Sequence, residues 1–154
     1  MNIESSMKKR VISILDTDSL GTAARQFTKY HVGMLPVTTK EGKLVGVLKL
    51  HDLLTLILPE FTRLMEDFDF VGDFGAMESI RPSQEILSRQ VSNVMEDPIF
   101  VEASSGLSRA FSLLHHHNLT DLPVVNAEHH LIGIASRVDI GTAILMNWEI
   151  SDRN

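Results

Sequence analysis

The apolar residues of this chain fall into two runs with helical spacing, each followed by two short apolar blocks of strand length. Leu20, Ala23, Ala24 and Phe27 recur at i, i+3, i+4 and i+7, as do Leu107, Ala110, Phe111 and Leu114. Each set predicts a helix with one buried stripe. After the first helix come Val32-Gly-Met-Leu-Pro-Val37, a polar Lys40-Glu41-Gly42-Lys43 and Leu44-Val-Gly-Val-Leu48. After the second come Leu119-Thr-Asp-Leu-Pro-Val-Val125, Ala127-Glu128-His129-His130 and Leu131-Ile-Gly-Ile-Ala135. Pro36 and Pro123, Gly46 and Gly133, and Asp52 and Asp139 are each separated by 87 positions, a spacing that marks an internal duplication. Leu53, Ile57 and Leu58 match Ile140, Ile144 and Leu145, so each copy closes with another helix. With the apolar stretches Val11 to Leu15 and Ile99 to Val101 in front, each copy reads β-α-β-β-α.

Local chemistry sharpens these boundaries. Asp16-Thr17-Asp18-Ser19 suits the N-cap of the first helix, and Gly33 is expected to supply the left-handed residue after it. Lys40 to Lys43 reads as a hairpin turn. Its counterpart Ala127 to His130 lacks the glycine, which predicts a different turn type. Residues 1–10 read as a polar lead with Lys8, Lys9 and Arg10 in solvent. The division expected is a first repeat over 1–58, a helical insert over 59–93 and a second repeat over 94–154. In the insert, Pro59 should stop the preceding helix, and Phe61, Leu64, Met65 and Phe68 are spaced for another amphipathic one. Four of the chain's 7 phenylalanines lie between 61 and 74, so the insert is expected to pack on the body or on a second subunit. Ser83 to Gln90 should add a helical turn or two.

Composition narrows the class of function. The 154 residues are 44% hydrophobic and 22% charged, a balance that supports a packed core. A net charge of -6 with no basic block argues against nucleic acid as a partner. There are no cysteines, which removes disulfides and thiolate chemistry. No apolar stretch follows the basic residues near the N-terminus, and none approaches the ~20 residues of a membrane span. A cytoplasmic location away from membranes is therefore expected. No nucleophile elbow, Walker-type loop or H-E-x-x-H motif occurs, so no catalytic residue is assigned and a non-enzyme is preferred. His115, His116 and His117 fan out around a helix by ~100° each and cannot converge on one ion, so no metal site is assigned.

Pro-Val, a polar turn, and then Leu, an apolar residue, Gly, two apolar residues and Asp four places on resembles the CBS domain, named after cystathionine beta-synthase. Two such units in tandem resemble a Bateman module. The resemblance implies an α/β (α+β) fold of two pseudo-symmetric repeats packed sheet to sheet, and a regulatory module that binds an adenosyl ligand in the cleft between them. AMP, ADP, ATP and S-adenosylmethionine are all in that class. In such pairs a Ser or Thr ahead of an Asp contacts phosphate and ribose, a role that falls to Ser136 and Asp139. The same two residues form the S-x-x-[DE] pattern of a capping box, and the two roles can coexist.

In the first copy Asp52 is retained, but Lys49 replaces the hydroxyl residue, so the Ser136/Asp139 cleft ranks ahead of the Asp52 cleft. Ahead of Pro123, where a basic residue is common, stand Thr120 and Asp121, with Gly33 and Met34 in the other copy. Asp121 would oppose a polyphosphate unless Arg137 or a metal ion offset it. That favours AMP or an adenosyl compound with few phosphates. The resemblance also implies a homodimer, formed through helices such as those at Leu53 to Leu58 and Ile140 to Trp148, and an effector protein that receives the signal. The rival reading is a structural dimer of the same fold that takes no nucleotide.

Overall fold

The computed structural model describes residues 1–56 and 81–150, and every structural statement below concerns these residues. The amphipathic helix expected around Phe61, the effect of Pro59, and Ile57 and Leu58 lie outside them. The first half contains β1 (Ile14–Leu15), α1 (Leu20–Tyr30), β2 (Met34–Thr38), β3 (Leu44–Lys49) and α2 (Leu50–Thr55). A short α3 (Gln84–Ser88) leads into the second half, which contains β4 (Val101–Glu102), α4 (Leu107–His116), β5 (Asp121–Val125), β6 (Leu131–Ser136) and α5 (Arg137–Leu145). Each half forms a three-stranded sheet, β1-β2-β3 and β4-β5-β6, parallel at the first pairing and antiparallel at the second.

The helices form where the spacing placed them. Ser19 caps α1 by accepting a hydrogen bond from the Thr22 amide at 3.1 Å, and Leu20, Ala23 and Phe27 are buried. In α4 the buried stripe is Leu107, Ala110 and Leu114. Phe111, expected in that stripe, is 48% exposed and stacks on His115 instead. The strand expected over Val11 to Leu15 shortens to two residues. Ser83 caps α3, in line with the short helix expected there.

The left-handed residue after α1 is His31 at φ 51°, not Gly33. Its counterpart Asn118 adopts the same φ of 51°. His and Asn tolerate this region better than most side chains do, and one such residue is enough to reverse the chain. The hairpin expectation is also corrected. Gly42 sits at φ 90° and His129, in the matching place, at φ 67°. Both turns carry the same pair of bonds, Thr39 with Lys43 and Gly42, and Asn126 with His130 and His129. The turn survives without glycine because the Asn126 side chain accepts from the amides of Glu128 and His130, and because the His129 ring packs edge-on against Phe100 at 4.8 Å.

The halves are tied together at two levels. At the hairpin tips the Leu44 amide donates to His129 O at 3.1 Å and the Leu131 amide to Gly42 O at 3.0 Å, a reciprocal pair about a pseudo-dyad. Further out, each half lends its leading segment to the other. Lys8 exchanges both backbone bonds with Ile134 of β6, and Glu96 does the same with Val47 of β3. The residues before them fill the opposite core. Ile3 is fully buried among Val101, Leu107 and Leu122 of the second half, while Val91 is fully buried among Ile14, Leu20 and Leu35 of the first. The lead is therefore not simply a solvated polar segment.

This exchange accounts for the repeated strand glycines. A Cβ at Gly46 would lie 2.5 Å from Met95 Sδ and 3.0 Å from Glu96 O, and one at Gly133 would collide with Met7 Sδ and lie 3.1 Å from Lys8 O. The methionine could shift. The backbone oxygen, held in its bridge, could not.

Three substitutions can be compared by urea unfolding. Ile3→Ala should lower stability by ~2–5 kcal/mol, although it is only the third residue of the chain, because it leaves a cavity in the distant half. Gly46→Ala should cost ~1–3 kcal/mol through overpacking. Gly141→Ala, in α5 with nothing within 4 Å of the new methyl, should raise stability by up to ~1 kcal/mol. Equal effects of the two glycine substitutions would contradict the contact assigned to Met95.

Candidate functional site

The junction of β6 with α5 gathers the residues singled out in the second copy. Ser136 is the N-cap of α5. Its hydroxyl accepts from the Asp139 amide at 3.0 Å, and Asp139 Oδ2 accepts from the Ser136 amide at 2.9 Å. The capping box is thus complete, and it fixes the carboxylate on the first turn of the helix. Lys8, from the exchanged lead, brings its ammonium to 3.7 Å from the same Oδ2. Both partners use Oδ2, so among the described residues Oδ1 has no hydrogen bond and is available to accept one.

Lys8 also lines a cleft of about 300 Å3, whose walls include neither Ser136 nor Asp139. Its polar wall is made by Lys8, Arg10, His31 and Asp121, and its apolar wall by Ile12, Val32, Met34 and Ile134, with Gly33 between them. Strand pairing brings these together: Asp121 is the register partner of Ser136, and Met34 that of Lys49. The pseudo-dyad mate of this cleft has shrunk to about 30 Å3 and is lined by Lys49, Glu96, Asp97, Ile99, Leu119 and Asp121, with Met34 and Val47. A third cavity of about 200 Å3 adjoins both, between Gly33, Met34, Lys49 and His51 on one side and His117, Thr120 and Asp121 on the other.

The residues proposed from sequence do not all meet in one place. Gly33, Met34 and Asp121 line the large cleft; Thr120 lines the third cavity and donates its hydroxyl to Asp121 Oδ2 at 2.8 Å. Pro123 is buried within β5 and faces none of the three. Arg137, expected to offset Asp121, turns the other way. Its guanidinium donates to Leu119 O, Leu114 O and Asn118 Oδ1, and so closes the C-terminal end of α4. The cations that do share the cleft with Asp121 are Lys8 and Arg10, which sequence reasoning left in solvent. Their signal was faint. They reach the site only because the lead crosses to the other half, and a duplication offset does not show a crossing.

In the first copy the same backbone carries different electrostatics. Lys49 caps nothing with its side chain; its ammonium donates to Glu96 Oε2 at 2.8 Å. That bond holds the Glu96 carboxyl below its ordinary range. Burial, reinforced by repulsion from Glu96, pushes the Asp52 carboxyl up. Its Oδ2 is buried and has no hydrogen-bond partner among the described residues.

No helix among the described residues is long and apolar enough to cross a membrane, and no group of His, Asp and Glu among them could hold a metal ion. The chain is 30% identical to an uncharacterized protein of Methanocaldococcus jannaschii, across 94% of this chain and 92% of that one. It is 23% identical to a homoserine O-acetyltransferase of Methanosarcina acetivorans but spans only 21% of that protein's length. Among solved structures it is similar to CBSX2, a CBS-pair protein of Arabidopsis thaliana, with 26% identity, a TM-score of 0.71 and 94% of each chain covered. The same protein has been solved in complex with AMP, with a TM-score of 0.70 over 94% of this chain and 96% of that one. The model of the CBS domain matches residues 2–59 and 91–145. With two matched segments folded as mutually exchanged α/β halves, the chain belongs to the CBS domain family as a tandem pair.

Proposed function

We propose that this protein is a regulatory module that binds an adenosine monophosphate-like ligand in the cleft lined by Lys8 and Arg10, from which it reaches Asp139, the ion-pair partner of Lys8, and passes on the resulting change of shape rather than catalysing a reaction. The observation that carries this reading is a cleft with Lys8 and Arg10 on its polar wall and apolar side chains on the other, in which Lys8 also contacts Asp139, a carboxylate with one free oxygen. Asp139 Oδ1 would accept from a ribose hydroxyl, a charge-assisted bond. Ile12, Val32 and Ile134 would cover the base, and Lys8 and Arg10 would meet the phosphate. The AMP complex of CBSX2, 26% identical to this chain, supports the same ligand class. A volume of about 300 Å3 lies at the small end of ligand clefts, and Asp121 on the wall disfavours added phosphates. AMP therefore fits better than ATP, and S-adenosylmethionine remains in the adenosyl class.

The signal would pass as a population shift, limited by the ligand's differential affinity for two arrangements of the halves. A cytoplasmic homodimer acting on a separate effector protein is the setting we propose. Met146 at 83%, Trp148 at 61% and Ile150 at 72% exposure leave an apolar surface beyond α5 that a second copy would cover. The same surface favours the second reading, an interaction dimer that takes no nucleotide.

Isothermal titration distinguishes the two readings. AMP should bind, and ATP without magnesium should bind more weakly; no heat from either, together with no thermal shift across adenine nucleotides, would favour the interaction dimer. Asp139→Asn keeps an acceptor for the Ser136 amide but loses the charge, and should weaken AMP at least tenfold with little change in melting temperature. Lys8→Ala combined with Arg10→Ala should weaken AMP far more than adenosine, which lacks the phosphate. Equal losses for both ligands would move the phosphate away from these residues.

A further inference from the structure

The two clefts share one backbone frame, yet their volumes differ about tenfold, at roughly 300 and 30 Å3. The pseudo-dyad shows which side chains make the difference. Lys49 stands where Ser136 stands, 87 positions on, and Glu96 occupies the bridge position that Lys8 occupies in the other half. In the roomy cleft the short Ser136 hydroxyl is spent on its helix cap, and Lys8 reaches past it to Asp139. In the small one the long Lys49 side chain has no capping role and runs out to Glu96, making an ion pair at 2.8 Å. Charge is inverted as well. Lys8 and Arg10 dominate one wall, while Glu96 and Asp97 dominate the other.

We infer that the Lys49–Glu96 ion pair is a built-in occupant of the first-half cleft, which restricts the protein to a single adenosyl ligand per chain. The pair takes the space a ligand would need and leaves a carboxylate where an anion's phosphate would arrive. Desolvated Asp52, the counterpart of the ribose-binding Asp139, is kept in place behind it. The ammonium does locally what a cationic wall residue would do for a bound phosphate, but for a carboxylate of the chain itself. The worth of the pair as a stabiliser is small, because Lys49 and Glu96 are 35% and 48% exposed; its effect is on occupancy. The inference rests on the assignment of the roomy cleft to an AMP-like ligand, and it has a separate criterion, a gain of binding.

The test copies the roomy cleft's residues into the small one. Equilibrium dialysis with labelled AMP should give one site per chain for the wild type and a second, weaker site for Lys49→Ser/Glu96→Lys, weaker because Asp97 remains. Adding Asp52→Asn should remove the new site only, and adding Asp139→Asn the original only. Circular dichroism and melting temperature establish that each variant is folded; if the double variant is not, Lys49→Ser alone should still yield a weak second site. A wild type that already binds two AMP, or folded variants that gain nothing, would overturn the inference. A wild type that binds none would overturn the assignment of the roomy cleft, while a site gained by the variant would still uphold the role of the ion pair.

Discussion

The structure depends on the exchange of leading segments between its halves. Each sheet has an exposed edge at β3 or β6, and a short sheet with an open edge and one uncovered face cannot stand alone. The backbone bridges of Glu96 to Val47 and Lys8 to Ile134 close those edges. Val91 and Ile3 complete the opposite cores. Neither half has a finished core without chain from the other, so the two fold as one cooperative unit although the sequence contains two copies of a motif. The strand glycines follow from the same constraint, since the bridged backbone oxygens of Glu96 and Lys8 pass too close for a Cβ.

The exchange also sets up the chemistry. Lys8 reaches Asp139 only because the lead of one half runs along the last strand of the other. The same crossing carries Glu96 to Lys49. Side chains alone thus distinguish a roomy cleft with Lys8 and Arg10 on its wall from a small one with Glu96 and Asp97 on its wall. The capping box at Ser136 fits this division: its carboxylate is positioned by the helix start through one oxygen and is left with the other.

Much of this could be read in the amino-acid sequence, and the misses have physical reasons. The helices α1 and α4 were visible in their apolar spacing, and Ser19 and Ser136 in their capping patterns, because these are local signals. Gly33 was assigned the left-handed turn on propensity, but His31 and Asn118 take it, since tertiary pairing of β2 and β5 determines where the chain must reverse. His129 was expected to alter its hairpin, but the Asn126 side chain and the Phe100 ring supply what glycine would have supplied by its freedom. Arg137 was named as a cation that would offset Asp121, whereas its length allows it to satisfy three acceptors at the end of α4.

The sequence by itself determined the duplication, the order of the elements, the family resemblance and the candidate carboxylates Asp52 and Asp139. All of these are encoded in spacing and in residue type at fixed offsets. Only the tertiary structure decided which residues face those carboxylates. Lys8, which reaches Asp139, stands more than a hundred residues before it, and periodicity within one copy carries no information about contacts made across the dyad. The physical reason is that a helix or strand is specified by neighbours along the chain, while a cleft is specified by whichever segment is lent to fill the opposite core.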